Sequence, residues 1–161
     1  MGRHTGIGSG IDYVEERIDL RRKQPGATIS RLIRRAEWLS GPDRELFLAY
    51  YEQGLCATRI GVMLGMDPRS VRRSIRQMTA RLNDPRAAYV AAHCNAWGRS
   101  RGAIARELFL RGRSMREVSQ KLGISLHCVR KHRDAIEAMS IADRERRRES
   151  RAWQRAEREE T

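Results

Sequence analysis

Long hydrophobic runs are missing from this chain. No apolar stretch approaches the roughly 20 residues that a bilayer-spanning helix needs, so the sequence predicts no membrane segment. Cysteine is scarce. Cys56, Cys94 and Cys128 form an odd, widely spaced set, which argues against a disulfide framework. Runs of alternating β-branched residues are absent too, which argues against a sheet. The stretch Met1–Gly10 is Gly-rich and polar and has no apolar core of a signal peptide. These absences predict a cytoplasmic protein. Proline and most of the remaining glycines fall at boundaries, as compact helices would have them.

Catalytic signatures are also lacking. No glycine-rich phosphate loop, HExxH pair or nucleophile elbow occurs. His93-Cys94 and His127-Cys128 are neighbours in sequence only, and neighbours on a helix do not face each other. A zinc site is the sharper reading of Cys128 and His132, which are four apart on one helix, with His93 and Cys94 as further ligands. No CxxC pair supports it, and Cys56 and Cys128 suit small buried positions. The sequence therefore predicts no enzyme, no metal and no cofactor.

What the chain has in abundance is positive charge. Among its 161 residues Lys and Arg number 33 against 20 Asp and Glu, a formal net charge of +13. Arg supplies 30 of the 33. Its planar fork matches phosphate oxygens and guanine edges better than an ammonium does. Such a balance predicts a polyanionic partner. The bland reading is a solvated basic surface, and placement decides between them. Residues 99–141 and their immediate flanks (98–142) carry ten basic and four acidic groups, and residues 43–83 carry seven and four. The tail from Asp143 carries seven and six, so the excess does not sit mainly there.

Helical spacing recurs along the chain. Residues 1–42 read as an arm followed by amphipathic helices. The first, Ile11–Lys23, has Ile11, Val14 and Ile18 on one side. Pro25-Gly26 stops it, and a second helix at about Thr28–Leu39 follows. Asp43 is placed to cap the next helix. Residues 43–83 then read helix, Gly54, helix, Gly65, helix. Asp84-Pro85 opens an Ala-rich helix over 84–98, read as a buried connector. A second three-helix pattern spans 99–141. The stretch 142–161 is almost all Arg and Glu around Trp153 and cannot build a core, so it reads as a solvated helix or a disordered tail. Trp38, Trp97, Tyr50, Tyr51 and Phe109 lie where a helical core would use them.

The most informative feature is an internal repeat without gaps. At an offset of 58 positions, Gly54 matches Gly112, Leu64-Gly65 matches Leu122-Gly123, Val71-Arg72 matches Val129-Arg130, and Ala80 matches Ala138. Gly65 and Gly123 fit a left-handed residue that ends a short helix. Met66 and Ile124 would plug the angle between helices, and Asp67 and Ser125 would cap the next one. Pro68 is pre-set for a first helical turn, and Val71 and Val129 should pack inward. Ser114 with Glu117 has the capping-box spacing, which Cys56-Ala57-Thr58-Arg59 lacks.

The helix after each turn concentrates the charge. Pro68–Leu82 holds Arg69, Arg72, Arg73, Arg76 and Arg81 and no acid. Ser70 and Gln77 add polar side chains, and Gln can read adenine. Leu126–Met139 holds His127, Arg130, Lys131 and Arg133, with Asp134 and Glu137 further along. The N-terminal half of such a helix is the part that enters a major groove.

The stretch from Ala105 to Met139 resembles the helix-turn-helix of LuxR-type regulators and of sigma factor region four. Gly112, Glu117, Val118, Leu122, Gly123, Ile124, Ser125, Val129, Arg130, His132 and Ile136 carry the match. The stretch from Asp43 to Leu82 is similar more loosely, with Ser74 at the position of His132 and Gly61 within the second helix. Tyr50-Tyr51-Glu52-Gln53-Gly54 resembles lambdoid Q-type antitermination proteins, and small terminase subunits of phages carry similar units. The resemblance implies two helix-turn-helix units in an all-α, nucleoid-associated regulator of bacterial or phage type. Its partners would be double-stranded DNA, RNA polymerase and another copy of the chain. The open alternatives are a small terminase-like DNA-packaging protein and a module that binds RNA polymerase through a helix-turn-helix.

Overall fold

In the computed structural model, which describes residues 26–159, every regular element is helical and none is a strand. The chain is all-α, as its periodicity predicts. The expected arm and the Ile11–Lys23 helix lie outside the described residues. The chain divides into two compact units, Met1–Ala80 and Arg81–Thr161.

The first unit opens with α1, Gly26–Arg35, and a 3₁₀ turn at Ala36–Trp38. The sequence predicted one helix to Leu39. Instead the backbone tightens after Arg35, and Leu39 N–H donates to Ala36 O at 3.1 Å. Leu32, Ala36 and Leu39 are the buried stripe. Helix α2 covers Gly41–Tyr51 with Ser40 at the N-cap position, so it starts before the expected Asp43 cap. The reason is Pro42. Its fixed φ suits the first turn, where its missing N–H costs nothing, and Asp43 then faces the positive end of the helix dipole.

Helices α3, Ala57–Leu64, and α4, Pro68–Asn83, complete this run, the last turn of α4 lying beyond the division of the units. Phe47, Tyr50, Tyr51, Ile60, Val71, Ile75 and Met78 are buried. The Phe47 and Tyr51 rings lie 4.6 Å apart, and Tyr50 meets Tyr51 edge-on at 5.1 Å. The Tyr51 hydroxyl would be costly to bury alone. It shares a 3.0 Å hydrogen bond with Thr79 Oγ1.

The second unit contains α5, Pro85–His93, and α6, Arg99–Ala105, which runs on into a π-helical turn at Arg106–Leu110. Helix α7 is Met115–Leu122 and α8 is Leu126–Glu159. Asp84 caps α5 by accepting from Arg86 N at 2.8 Å. The Asp84-Pro85 helix buries Ala87 and Val90, while Ala92 is exposed. A Cβ on Gly102 would lie 2.6 Å from Cys94 O, so glycine is what lets α6 approach that carbonyl. Ile104, Val118 and Val129 form the core here, with Leu108, Met115, Leu122 and Ile124 against them. Trp38, Trp97 and Phe109 are only half-buried, unlike Tyr50 and Tyr51.

Helix α8 runs on past Met139, so the tail is the solvated helix of the two forms its composition allows. It continues unbroken to Glu159, because no Gly or Pro interrupts it. Asp143 pairs with Arg147 at 2.7 Å and with Arg146 at 3.5 Å, which supports the helix past the core. Every residue from Arg144 to Glu159 is exposed.

Candidate nucleic-acid interface

Two hairpins share one construction. Helix α3, Gly65 and α4 make the first, and α7, Gly123 and α8 make the second. Three of their four boundaries match at the 58-position offset: Ala57 with Met115, Leu64 with Leu122, Pro68 with Leu126, while the second helices end differently, at Asn83 and Glu159. Gly65 has φ 63° and Gly123 has φ 64°, both left-handed, where a side chain would be strained. Each turn then caps its second helix. Asp67 Oδ2 accepts from Arg69 N at 2.9 Å and Ser70 N at 3.1 Å, and Ser125 Oγ accepts from Cys128 N at 3.2 Å. Val71 and Val129 are fully buried.

The capping box at the start of α7 is formed. Ser114 N donates to Glu117 Oε2 at 2.7 Å and Glu117 N to Ser114 Oγ at 3.3 Å. The hydrogen bonds from Ser114 hold the Glu117 carboxyl below its ordinary range. Helix α3 starts after Cys56 with no side-chain cap. The hairpins also differ inside the turn. Ser119 Oγ donates to Ile124 O at 2.6 Å. At the equivalent Gly61, a Cβ would stand 2.6 Å from Met66 O, so the first turn lies closer to its helix and admits no side chain. Ile124 is a half-buried plug, whereas Met66 is 36% exposed and fills its role poorly.

The basic residues of α4 sort by burial. Arg69, Ser70, Arg73, Arg76 and Gln77 are exposed, at spacings that place them on one face. Val71, Ile75 and Met78 are buried on the other. Arg72 is half-buried at the edge between them. Helix α4 contains no acid, and among the described residues Arg69, Arg73 and Arg76 pair with no carboxylate. No carboxylate of the described residues therefore competes for these guanidinium groups.

On α8, His127, Arg130 and Lys131 are exposed. Arg133 is half-buried and engaged within its own unit. It reaches Asp134 Oδ1 at 2.7 Å and Met115 Sδ at 3.4 Å, and the bond to Asp134 raises its pKa further. The second hairpin thus presents fewer unpaired cations than the first.

Three features escaped the sequence reading: the contacts of Glu107, the contact made by Arg81, and a second repeat. Glu107 is 5% exposed and binds Arg113 Nε at 3.1 Å, Lys121 Nζ at 2.8 Å and the Arg111 guanidinium. Burial alone would raise its pKa. The Lys121 hydrogen bond and the charges of Arg111, Lys121 and Arg113 outweigh this and hold the carboxyl below its ordinary range. Arg81 donates to Arg111 O at 2.9 Å and lies against Gly112, whose φ is 66°. The pentapeptide Arg-Glu-Leu-Phe-Leu occurs twice, at 44–48 in α2 and at 106–110 in the π turn. Its offset is 62 rather than 58, one helical turn out of step with the hairpins, so a search at one fixed offset misses it.

Cys94 is buried, Cys56 and Cys128 are half-buried, and all are free thiols. The His93 ring is held by Tyr89 O at 2.8 Å. Among the described residues no cluster of three or more His, Cys, Asp or Glu is placed to hold a metal ion. No described helix is long and apolar enough to cross a membrane. In comparisons with known proteins, no family model, no curated protein and no solved structure matches the chain.

Proposed function

We propose that this chain is a sequence-specific double-stranded DNA-binding regulator of transcription, built on tandem helix-turn-helix units. The observation that carries this reading is the acid-free outer face of α4. Among the described residues Arg69, Arg73 and Arg76 stand there unpaired beside Ser70 and Gln77, opposite a mainly apolar buried face whose one polar group, Thr79, is bonded to Tyr51. A helix of this kind enters the major groove with its first turns on base edges. Arg reads guanine O6 and N7, Gln reads adenine, and neighbouring cations neutralise phosphates. In the second unit His127, Arg130 and Lys131 take a second groove or the flanking phosphates.

A second reading gives one unit to protein rather than DNA. The engagement of Arg133 with Asp134 and Met115 favours α8 for that role, as an RNA polymerase contact of an activator, sigma-like or antitermination factor. A terminase-like packaging protein would instead bind duplexes with weak sequence preference. The test is fluorescence anisotropy on duplex DNA with Arg73→Ala and Arg76→Ala together. The double variant should bind at least about tenfold more weakly, since each lost contact is worth on the order of 1 kcal/mol or more. Unchanged affinity would remove α4 from the interface.

A further inference from the structure

The tail of α8 is nearly neutral by count, but its charges are sorted by sign around the helix. From Asp143 onward it carries seven basic and six acidic groups, and all seven cations are Arg. At 3.6 residues per turn, Arg148, Arg151, Arg155 and Arg158 fall within an arc of about 80°. Arg144 projects into the same arc and Arg147 just outside it. No acid of the described tail falls within the arc. Glu159 lies at its edge, and Glu145, Glu149 and Glu157 lie farther round. Every residue from Arg144 to Glu159 is exposed.

This sorting works against the helix's own stability. A solvated helix gains from opposite charges three or four residues apart and loses from like charges there. Arg144 and Arg148, Arg147 and Arg151, Arg148 and Arg151, Arg151 and Arg155, and Arg155 and Arg158 are all like pairs at those spacings. At the root of the tail Asp143 holds Arg147 and Arg146, and Arg144 donates to Ser140 O at 3.3 Å. Farther out the internal partners run out. Glu145 and Glu159 have the spacing to reach Arg148 and Arg155, yet Arg148, Arg151, Arg155 and Arg158 pair with no carboxylate among the described residues. An external anion would relieve their mutual repulsion. We propose that this arginine stripe docks on the phosphate backbone of duplex DNA, as a sequence-independent surface separate from both hairpins.

The chemistry and the spacing of the stripe fit phosphates. A guanidinium fork binds phosphate oxygens bidentately, which an ammonium cannot do. The four arginines from Arg148 to Arg158 form a straight row about 15 Å long. A duplex offers a regular row of charge, one per about 1.7 Å of its axis, whatever its sequence. A lipid surface would need apolar side chains beside the cations. Trp153, the large apolar residue of this stretch, projects to the opposite side of the helix, between Glu149 and Glu157. Arg148 stands about 25 Å beyond Lys131 along α8. That is about twice the width of a major groove, so the stripe meets phosphates outside any groove that the start of α8 enters. The inference does not rest on base reading by α4 or α8.

The test is fluorescence anisotropy of the full chain on random-sequence duplex DNA, titrated with salt. Arg148→Glu with Glu149→Arg, and Arg155→Glu with Glu157→Arg, made together, break the stripe while composition and net charge stay the same. The slope of log affinity against log salt should fall by about two, since each phosphate contact contributes about 0.9. Arg151→Gln alone should lower it by about one. Unchanged helical circular dichroism confirms that both variants fold. The same falls are expected in a chain that also carries Arg73→Ala and Arg76→Ala, so the stripe is read separately from α4. Failure of sequence selection would remove the base-reading role of α4 and leave these falls as they are. An unchanged slope in the charge-exchanged variant overturns the proposal, because net charge rather than the stripe would then hold the DNA. A fall seen with RNA but not with duplex DNA would assign the stripe to RNA and equally overturn it.

Discussion

Glu107→Gln is expected to destabilise the second unit by about 1–2 kcal/mol. The substitution keeps the side-chain volume and removes one charge. What is lost is attraction to Arg111, Arg113 and Lys121, whose side chains are 41%, 39% and 37% exposed. Exposed pairs are each worth about 0.2–1 kcal/mol because water screens them and re-solvates a freed cation. Three such pairs bound the loss at roughly 3 kcal/mol, and relief of the carboxylate's own desolvation cost offsets part of it. The assay is urea unfolding followed by circular dichroism, with protection of amides in α7 read by hydrogen exchange. The pH dependence carries an independent check. The folded pKa of Glu107 lies below its unfolded value. Its contribution is therefore complete above the ordinary glutamate value, about 4.3, and is lost as pH falls through the lowered folded value. The wild-type curve should drop in that window more steeply than the Gln variant's. A variant as stable as wild type at neutral pH, with the same acid limb, would show that the cluster only breaks even against desolvation.

Gly61→Ala should destabilise the first unit by about 1–3 kcal/mol despite alanine's better helix propensity, because the new methyl meets the Met66 carbonyl at 2.6 Å; thermal melting checks the sign. Ser114→Ala should cost about 1 kcal/mol by opening the capping box, read as faster amide exchange at the start of α7. Gly123→Ala, in a left-handed turn with φ 64° and open space around it, should cost on the order of 1 kcal/mol by the same melt, from backbone strain alone. Arg69→Ala should reduce the slope of log affinity against log salt by about one if the side chain holds a phosphate, measured by anisotropy titrations. An unchanged slope with altered base preference would place it on a base edge.

Much of this fold is legible because its repeat rests on local rules. A left-handed glycine, a capping Asp or Ser and a buried valine four residues later are short-range demands. Gly65, Asp67 and Val71, with Gly123, Ser125 and Val129, satisfy them as their spacing predicts. The exposed face of α4 follows for the same reason. Helical period assigns Arg69, Arg73 and Arg76 opposite Val71, Ile75 and Met78. What was not legible depends on tertiary approach. Nothing in the sequence around Glu107 announces that three cations converge on it from α7 and the preceding loop. Gly61 reads as a weak helix position until the Met66 carbonyl is seen over it. Between a solvated helix and a disordered tail the composition after Ser140 does not decide, because the core stops there; the backbone, which has no breaker, carries α8 on as a helix.

The central claim is that α4 and its counterpart in α8 read duplex DNA, and selection from a random duplex pool at about 150 mM salt, which suppresses loose phosphate binding, tests it most directly. The account predicts enrichment of two short motifs at fixed spacing, with the motif assigned to α4 abolished by Arg73→Ala and Arg76→Ala together. Binding that salt abolishes without enriching any sequence would contradict it and favour a packaging protein or a factor held by polymerase.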